Sequence, residues 1–313
     1  MKNQETLKEI VSVKNAEKVM ADSAESTSCC TPTCCTDENK NSTMKNEEAL
    51  REIVREKYAE IALADPADNK SCCTPACCVD GNKNSMADSY EGISGYEPSA
   101  DLGLGCGLPT EYAGIKKGDT IIDLGSGAGN DCFVARAEAG DSGHVIGIDM
   151  TAEMIKRARK NVDSLGYSNV EFRLGEIENI PVQSNEADVV ISNCVLNLVP
   201  DKQKAFQEIY RILKPGGHFS VSDIVLTGPL PESLIKVAEL YAGCVSGAIS
   251  KEEYLNMISE NGFKNIKIQK AKNIELPEEF LFSYLTPEEM ELVRKSKIGI
   301  ESISVYAEKP SAS

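Results

Sequence analysis

From Thr120 onward, apolar residues come in short runs separated by amphipathic stretches. The runs Thr120–Leu124, His144–Asp149, Val170–Leu174, Ala187–Ser192 and His218–Asp223 are short and rich in Val and Ile, the pattern of strands buried on both faces. Between them, helices are predicted near Asp131–Ala139, from Thr151 to about Leu165 and near Lys202–Leu213. Thr151 is expected to cap its helix, with Met154, Ile155 and Ala158 facing inward. Pro215-Gly216-Gly217 reads as a turn. Helices are also predicted over Val237–Gly247 and Lys251–Glu260. Strands follow at Asn265–Lys270 and Gly299–Glu308, with a helix-rich insert over 276–297. Alternation of this kind predicts an α/β fold, a mostly parallel sheet with helices on both faces.

The first 86 residues follow another rule. Residues 1–43 align without gaps to 44–86 with 26 identical positions, too many for chance, so the segment reads as a duplication. Each copy is a helix followed by a polar tail, Cys29-Cys30-Thr31-Pro32-Thr33-Cys34-Cys35 in the first and Cys72-Cys73-Thr74-Pro75-Ala76-Cys77-Cys78 in the second. In the second, Leu50, Ile53, Val54, Tyr58 and Ile61 share a helical face. In the first, Asn15 and Lys18 replace the last two of these, so half the docking surface is gone. Four regions are expected: 1–43, peripheral; 44–86, a helix with a Cys-rich tail; 87–270, the main α/β domain; and 271–313, the insert with the last strand.

Composition narrows the function. The chain has 313 residues, with 33 Lys and Arg against 49 Asp and Glu, a net charge of -16. Such acidity argues against nucleic acid or an anionic membrane as partner. Only 2 His are present, which disfavours a His-rich metal site. Charge throughout residues 1–20 does not fit a signal peptide, and no apolar run is long enough to span a membrane. The expected compartment is the cytoplasm. The 12 Cys are then expected to be reduced thiols rather than a disulfide scaffold.

Asp123-Leu-Gly-Ser-Gly-Ala-Gly129 follows the first strand and opens a helix, as a nucleotide-binding loop does. Asp149 ends the second strand, placed for a ribose diol. This loop, with Gly147-Ile-Asp-Met150, Gly175–Pro181, Ile191–Leu198 and Leu213–Gly217, resembles S-adenosylmethionine-dependent class I methyltransferases. The resemblance implies a Rossmann-like, seven-stranded sheet ending in an antiparallel hairpin. It implies S-adenosylmethionine as methyl donor, held by Asp123, Gly125, Ser126, Gly127, Gly129, Asp149, Met150, Glu176, Ile177 and Asn193. No tightly bound metal is implied.

Three cysteines stand in Gly-rich or strand-end settings: Cys106 in Gly105-Cys-Gly107, Cys194 after the fourth strand, and Cys244 in Tyr241-Ala-Gly-Cys-Val-Ser-Gly-Ala248. Soft thiolates suit soft metalloids. These segments are similar to arsenite methyltransferases, and the similarity runs from about Lys45 to Phe263. It implies that Cys106, Cys194 and Cys244 bind trivalent arsenic and take part in methyl transfer. The pairs Cys72, Cys73 and Cys77, Cys78 are candidates for capturing arsenite first. Arsenite, its thiol conjugates and a reductant such as thioredoxin or glutathione are the implied partners, and arsenic detoxification the implied role. Two other readings stand beside it: a class I methyltransferase of a small organic acceptor, and a metalloid-binding protein with a vestigial cofactor site. Cys132, on the first helix of the main domain, is expected to be core.

Deleting residues 1–43 is expected to leave the melting temperature nearly unchanged; a large fall in a thermal scan would refute the peripheral placing of the first copy.

Overall fold

The computed structural model describes residues 36–64, 88–228, 247–274 and 299–311, with Val245, 286–288 and Glu291. The Cys-rich tails, Cys244, the helix expected over most of 237–247 and nearly all of the 276–297 insert lie outside the described residues. The chain divides into two compact units, Met1–Lys57 and Tyr58–Ser313. In the first, helix α1 (Thr36–Leu63, continuing into the second unit) starts before the second copy begins. The last residues of the first copy, 36–43, are therefore helical. No Gly or Pro interrupts 36–63, and nothing local stops the helix once Asp37 and Glu38 favour its first turn. Val54 is buried, and Leu50 and Ile53 are half-buried.

Among its described residues the second unit holds seven strands: β1 (Thr120–Leu124), β2 (His144–Asp149), β3 (Val170–Leu174), β4 (Ala187–Asn193), β5 (Leu213–Thr227), β6 (Lys264–Ile274) and β7 (Gly299–Glu308). Their order is β3-β2-β1-β4-β5-β7-β6. The first five pair in parallel, whereas β7 runs antiparallel to both β5 and β6. Four α-helices lie wholly among its described residues: α2 (Asn130–Ala139), α3 (Ala152–Leu165), α4 (Lys202–Ile212) and α5 (Lys251–Glu260).

Period-two alternation along the strands builds two cores. Ile121, Val145, Val189 and Ile191 meet Phe133 of α2 and Ile155 and Ala158 of α3. Ile122, Ile146, Ile148 and Val190 meet Phe206 and Ile209 of α4 and Tyr254 and Ile258 of α5. The inner strands β1, β2 and β4 are thus apolar on both sides, which is why their sequences read as continuous runs, whereas the edge strand β6 is largely exposed.

Three expectations change. Pro215-Gly216-Gly217 does not end an element but lies inside β5 as a bulge. Between Ala187↔Leu213 and Val189↔His218, β5 advances five residues while β4 advances two. A proline without an N–H is tolerated where the ladder is already interrupted. The expected sixth strand extends on both sides, to Lys264 and Ile274, because β7 offers a ten-residue partner. Thr151 occupies the N-cap position of α3, but its hydroxyl makes no cap hydrogen bond. Among the described residues, no helix is long and apolar enough to cross a membrane.

Phe219 is fully buried, with ring centroids 4.9 Å from Phe263 and 6.1 Å from Phe206. Phe219→Ala is expected to lower the unfolding free energy by about 3–5 kcal/mol, measured by urea denaturation.

Candidate active site

The strand order reverses direction between β1 and β4, so the chain leaves these two strands on opposite sides and opens a crevice at their carboxyl ends. The loop Gly125–Gly129 runs along one wall. Gly127 has φ +51°, and no atom lies where its side chain would be, so the backbone there is open to a ligand. Its N–H donates to Asp149 Oδ2 at 3.0 Å, while Thr151 N–H donates to Asp149 Oδ1 at 2.8 Å. Burial raises the Asp149 carboxyl above its usual range, and these two N–H groups pull it back. Ser126 Oγ is buried without a hydrogen-bond partner among the described residues, an unmet polar atom of the sort a bound ligand satisfies. Met150 and Glu176 are half-buried at the ends of β2 and β3. Ile177 is buried among Ile148 and Ile180.

The other wall begins at β4. Asn193 ends that strand, and Cys194 follows with φ +60°, a conformation rare outside glycine and asparagine. The turn is held by Cys194 N–H donating to Ser222 O at 2.7 Å. It aims the Cys194 side chain at the loop 104–108, where Cys106 lies with its Cα 5.7 Å away. The two sulfurs are joined as a disulfide. This corrects the expectation that all thiols are reduced: residues 88 positions apart meet within bridging range, which composition could not show. Both cysteines are buried.

Asn193 joins the walls. Its Oδ1 accepts from Cys106 N–H at 3.0 Å, and its Nδ2 donates to Gly107 O at 2.9 Å, to Tyr90 Oη at 2.9 Å and to Asp131 Oδ2 at 3.2 Å. Tyr90 in turn donates to Asp131 Oδ1 at 2.7 Å. Asp123, at the end of β1, is buried and accepts from Cys132 Sγ at 3.1 Å. Cys132 is in the core as expected, yet it also supports this carboxylate. Burial, then the neighbouring Asp131, raises Asp123 well above the usual carboxylate range. Burial also pushes Asp131 up, to about 6, although Tyr90 and Asn193 favour its ionised form.

The fold therefore gathers Asp123, Gly125–Gly129, Asp149, Asn193, Cys194 and Cys106 around one crevice. Cys244 and the pairs at 72–73 and 77–78 lie outside the described residues. Gly247, three positions after Cys244, rests against the backbone carbonyl of Asn197, just beyond Cys194. The sequence reading missed Tyr90, Asp131 and Ser302, which support the site from elements far apart in the chain. Only Asp131 lies near the glycine loop, two residues past Gly129.

The chain is similar to known methyltransferases. The model of a methyltransferase-domain family matches residues 115–262. An arsenite methyltransferase of Halobacterium salinarum is 49% identical over 176 residues, covering 56% of this chain and 45% of the relative. One of Aquipseudomonas alcaligenes is 36% identical over 184 residues, covering 56% and 53%. The chain thus spans about half the length of the curated relatives it matches. The crystal structure of an arsenic(III) S-adenosylmethionine methyltransferase from Chlamydomonas reinhardtii is 31% identical, with a TM-score of 0.56 and 72% of each chain covered.

The ionisation of Asp131 can be measured. In the unfolded chain its carboxyl ionises near the ordinary 3.8, in the folded chain near 6. Its contribution to stability is full below the first value and lost as pH rises through the second. Wild type is therefore expected to lose up to about 3 kcal/mol relative to Asp131→Asn between pH 4 and pH 7, by urea denaturation at each pH. Parallel curves for the two proteins would contradict this.

Proposed function

The chain belongs to the arsenite methyltransferase family of S-adenosylmethionine-dependent methyltransferases, and from that premise we propose that it methylates trivalent arsenic, arsenite first and methylarsonous acid after it, as a step of arsenic detoxification. The observation that carries this reading is the meeting of Cys106 and Cys194 at the crevice between β1 and β4, beside the glycine loop.

The residues present fit the methyl donor. Gly127 leaves an open cradle, Ser126 offers an unmet hydroxyl, and Asp149 presents a carboxylate of the kind that binds a ribose diol. Gly125 and Gly129 would line the methionine side, Met150 would pack on adenine, and Glu176 and Ile177 would border its edge. Asp123 and Asp131 are buried carboxyls close to the site, whose ionised forms a bound cation would favour. When bound, S-adenosylmethionine supplies an electrophilic sulfonium methyl group.

The cysteines do the rest. Reduction of the Cys106–Cys194 disulfide by a thiol such as glutathione or thioredoxin frees two buried sulfurs. With Cys244 as a third, they displace the oxygens of arsenite, each thiol hydrogen leaving in a water molecule. Three sulfurs on one side of a pyramidal arsenic leave its lone pair pointing away from them. Catalysis is then mainly positioning of that lone pair. Arsenic bears no proton to lose, so no general base is required. The anchoring of Gly247 against Asn197 supports bringing Cys244 to this place. The tail pairs Cys72, Cys73 and Cys77, Cys78 serve as capture thiols. A reducing cytoplasm suits a site that must be returned to its thiol form.

Incubation with arsenite, S-adenosylmethionine and glutathione, followed by arsenic speciation, is expected to give methylated arsenicals; inorganic arsenic alone would sink the reading. Cys106→Ser is expected to lower arsenite methylation by about a hundredfold or more, ~2.7 kcal/mol of transition-state stabilisation, while part of the activity on methylarsonous acid survives. Equal loss on both substrates would deny Cys106 a special part in the first round.

A further inference from the structure

Cys106 sits in an irregular loop, yet it is almost wholly buried, so both its backbone polar groups need partners. The N–H is taken by Asn193 Oδ1 at 3.0 Å. The carbonyl is taken from the far side of the sheet order: Ser302 Oγ, on β7, donates to it at 2.7 Å. Ser302 is 5% exposed and cannot drift, because β7 is paired on both sides, with Ser302 opposite Ile224 of β5 and Lys272 of β6. The next residue of the loop is fitted to the same floor. A Cβ on Gly107 would lie 2.7 Å from Ser222 Oγ, and Ser222 is itself bonded to Ser304 of β7 at 2.8 Å.

We propose that Ser302 is a positioning residue for the thiol pair: by fixing the Cys106 peptide to the C-terminal hairpin, it sets the Cys106 sulfur opposite that of Cys194. Without its hydroxyl, the Cys106 carbonyl is buried and unmet, and the loop gains freedom to swing away from β4. The two sulfurs then spend less time in register, and their effective concentration towards each other falls. This rests on the reading that Cys106 and Cys194 act together on one arsenic atom, where the same register sets the binding geometry. The thiol pair itself, however, can be interrogated without arsenic.

The test is a thiol–disulfide equilibrium on the full chain. The thiols of Cys106 and Cys194 form the S–S bond, giving up two electrons and two protons. One molecule of glutathione disulfide accepts them and becomes two of glutathione. Wild type, Ser302→Ala and Ser302→Thr are equilibrated in a series of glutathione buffers, quenched by alkylation, and the Cys106–Cys194 peptide pair is quantified by mass spectrometry. Ser302→Ala is expected to need about tenfold more oxidising buffer to reach half-oxidation, ~30 mV, with its melting temperature recorded alongside. Ser302→Thr, which keeps the hydroxyl, is expected to stay within twofold of wild type. A midpoint for Ser302→Ala within twofold of wild type overturns the proposal, as does a threonine variant displaced as far as the alanine one, which would trace the effect to packing. Failure of the wild type to methylate arsenite would overturn the substrate reading only, leaving the midpoint shift to judge Ser302.

Discussion

The parallel pairing of β1 with β4, in the register Leu124↔Ser192, fixes where the described groups of the crevice fall. It puts the glycine loop that leaves β1 beside the Asn193–Cys194 corner that leaves β4. The side chain of Asn193 then reaches the loop 104–108 across the crevice. A shift of one residue in this register would turn Asn193 to the other face of the sheet and part the two cysteines. The register is secured by Ile121, Ile122, Val189 and Val190, fully buried on alternate faces, so the site's geometry rests on the hydrophobic cores beneath it.

Around that corner the protein concentrates acid. Asp123, Asp131 and Asp149 all have carboxyls raised above their ordinary range, chiefly by burial. Burial disfavours their ionised forms, and a bound cation would shift them back towards ionisation. Tyr90 shows the same field from the other side. Burial and the neighbouring Asp131 raise its hydroxyl far above the usual phenol range, so it stays protonated and serves as a donor.

The antiparallel end of the sheet has a role beyond closing it. Because β7 lies between β5 and β6, its serines are held from both sides, and three of them or their partners floor the Cys106 loop. The C-terminal hairpin, remote in sequence from the glycine loop, is in this way part of the wall on which the thiol pair rests.

Sequence alone located the inner strands and the described helices of the main domain, because each carries its own periodicity: apolar runs for strands buried on both faces, amphipathic stretches for helices. It placed the glycine loop and Asp149, whose spacing is local, and it singled out Cys106 and Cys194 by their Gly-rich and strand-end settings. It misread Pro215–Gly217, since a bulge and a turn demand the same residues and only the partner strand tells them apart. It could not show the disulfide, the Asn193 clamp or the parts of Tyr90, Asp131 and Ser302. These depend on which distant segments the sheet order brings within about 3 Å, a contact set by tertiary pairing rather than by any pattern along the chain.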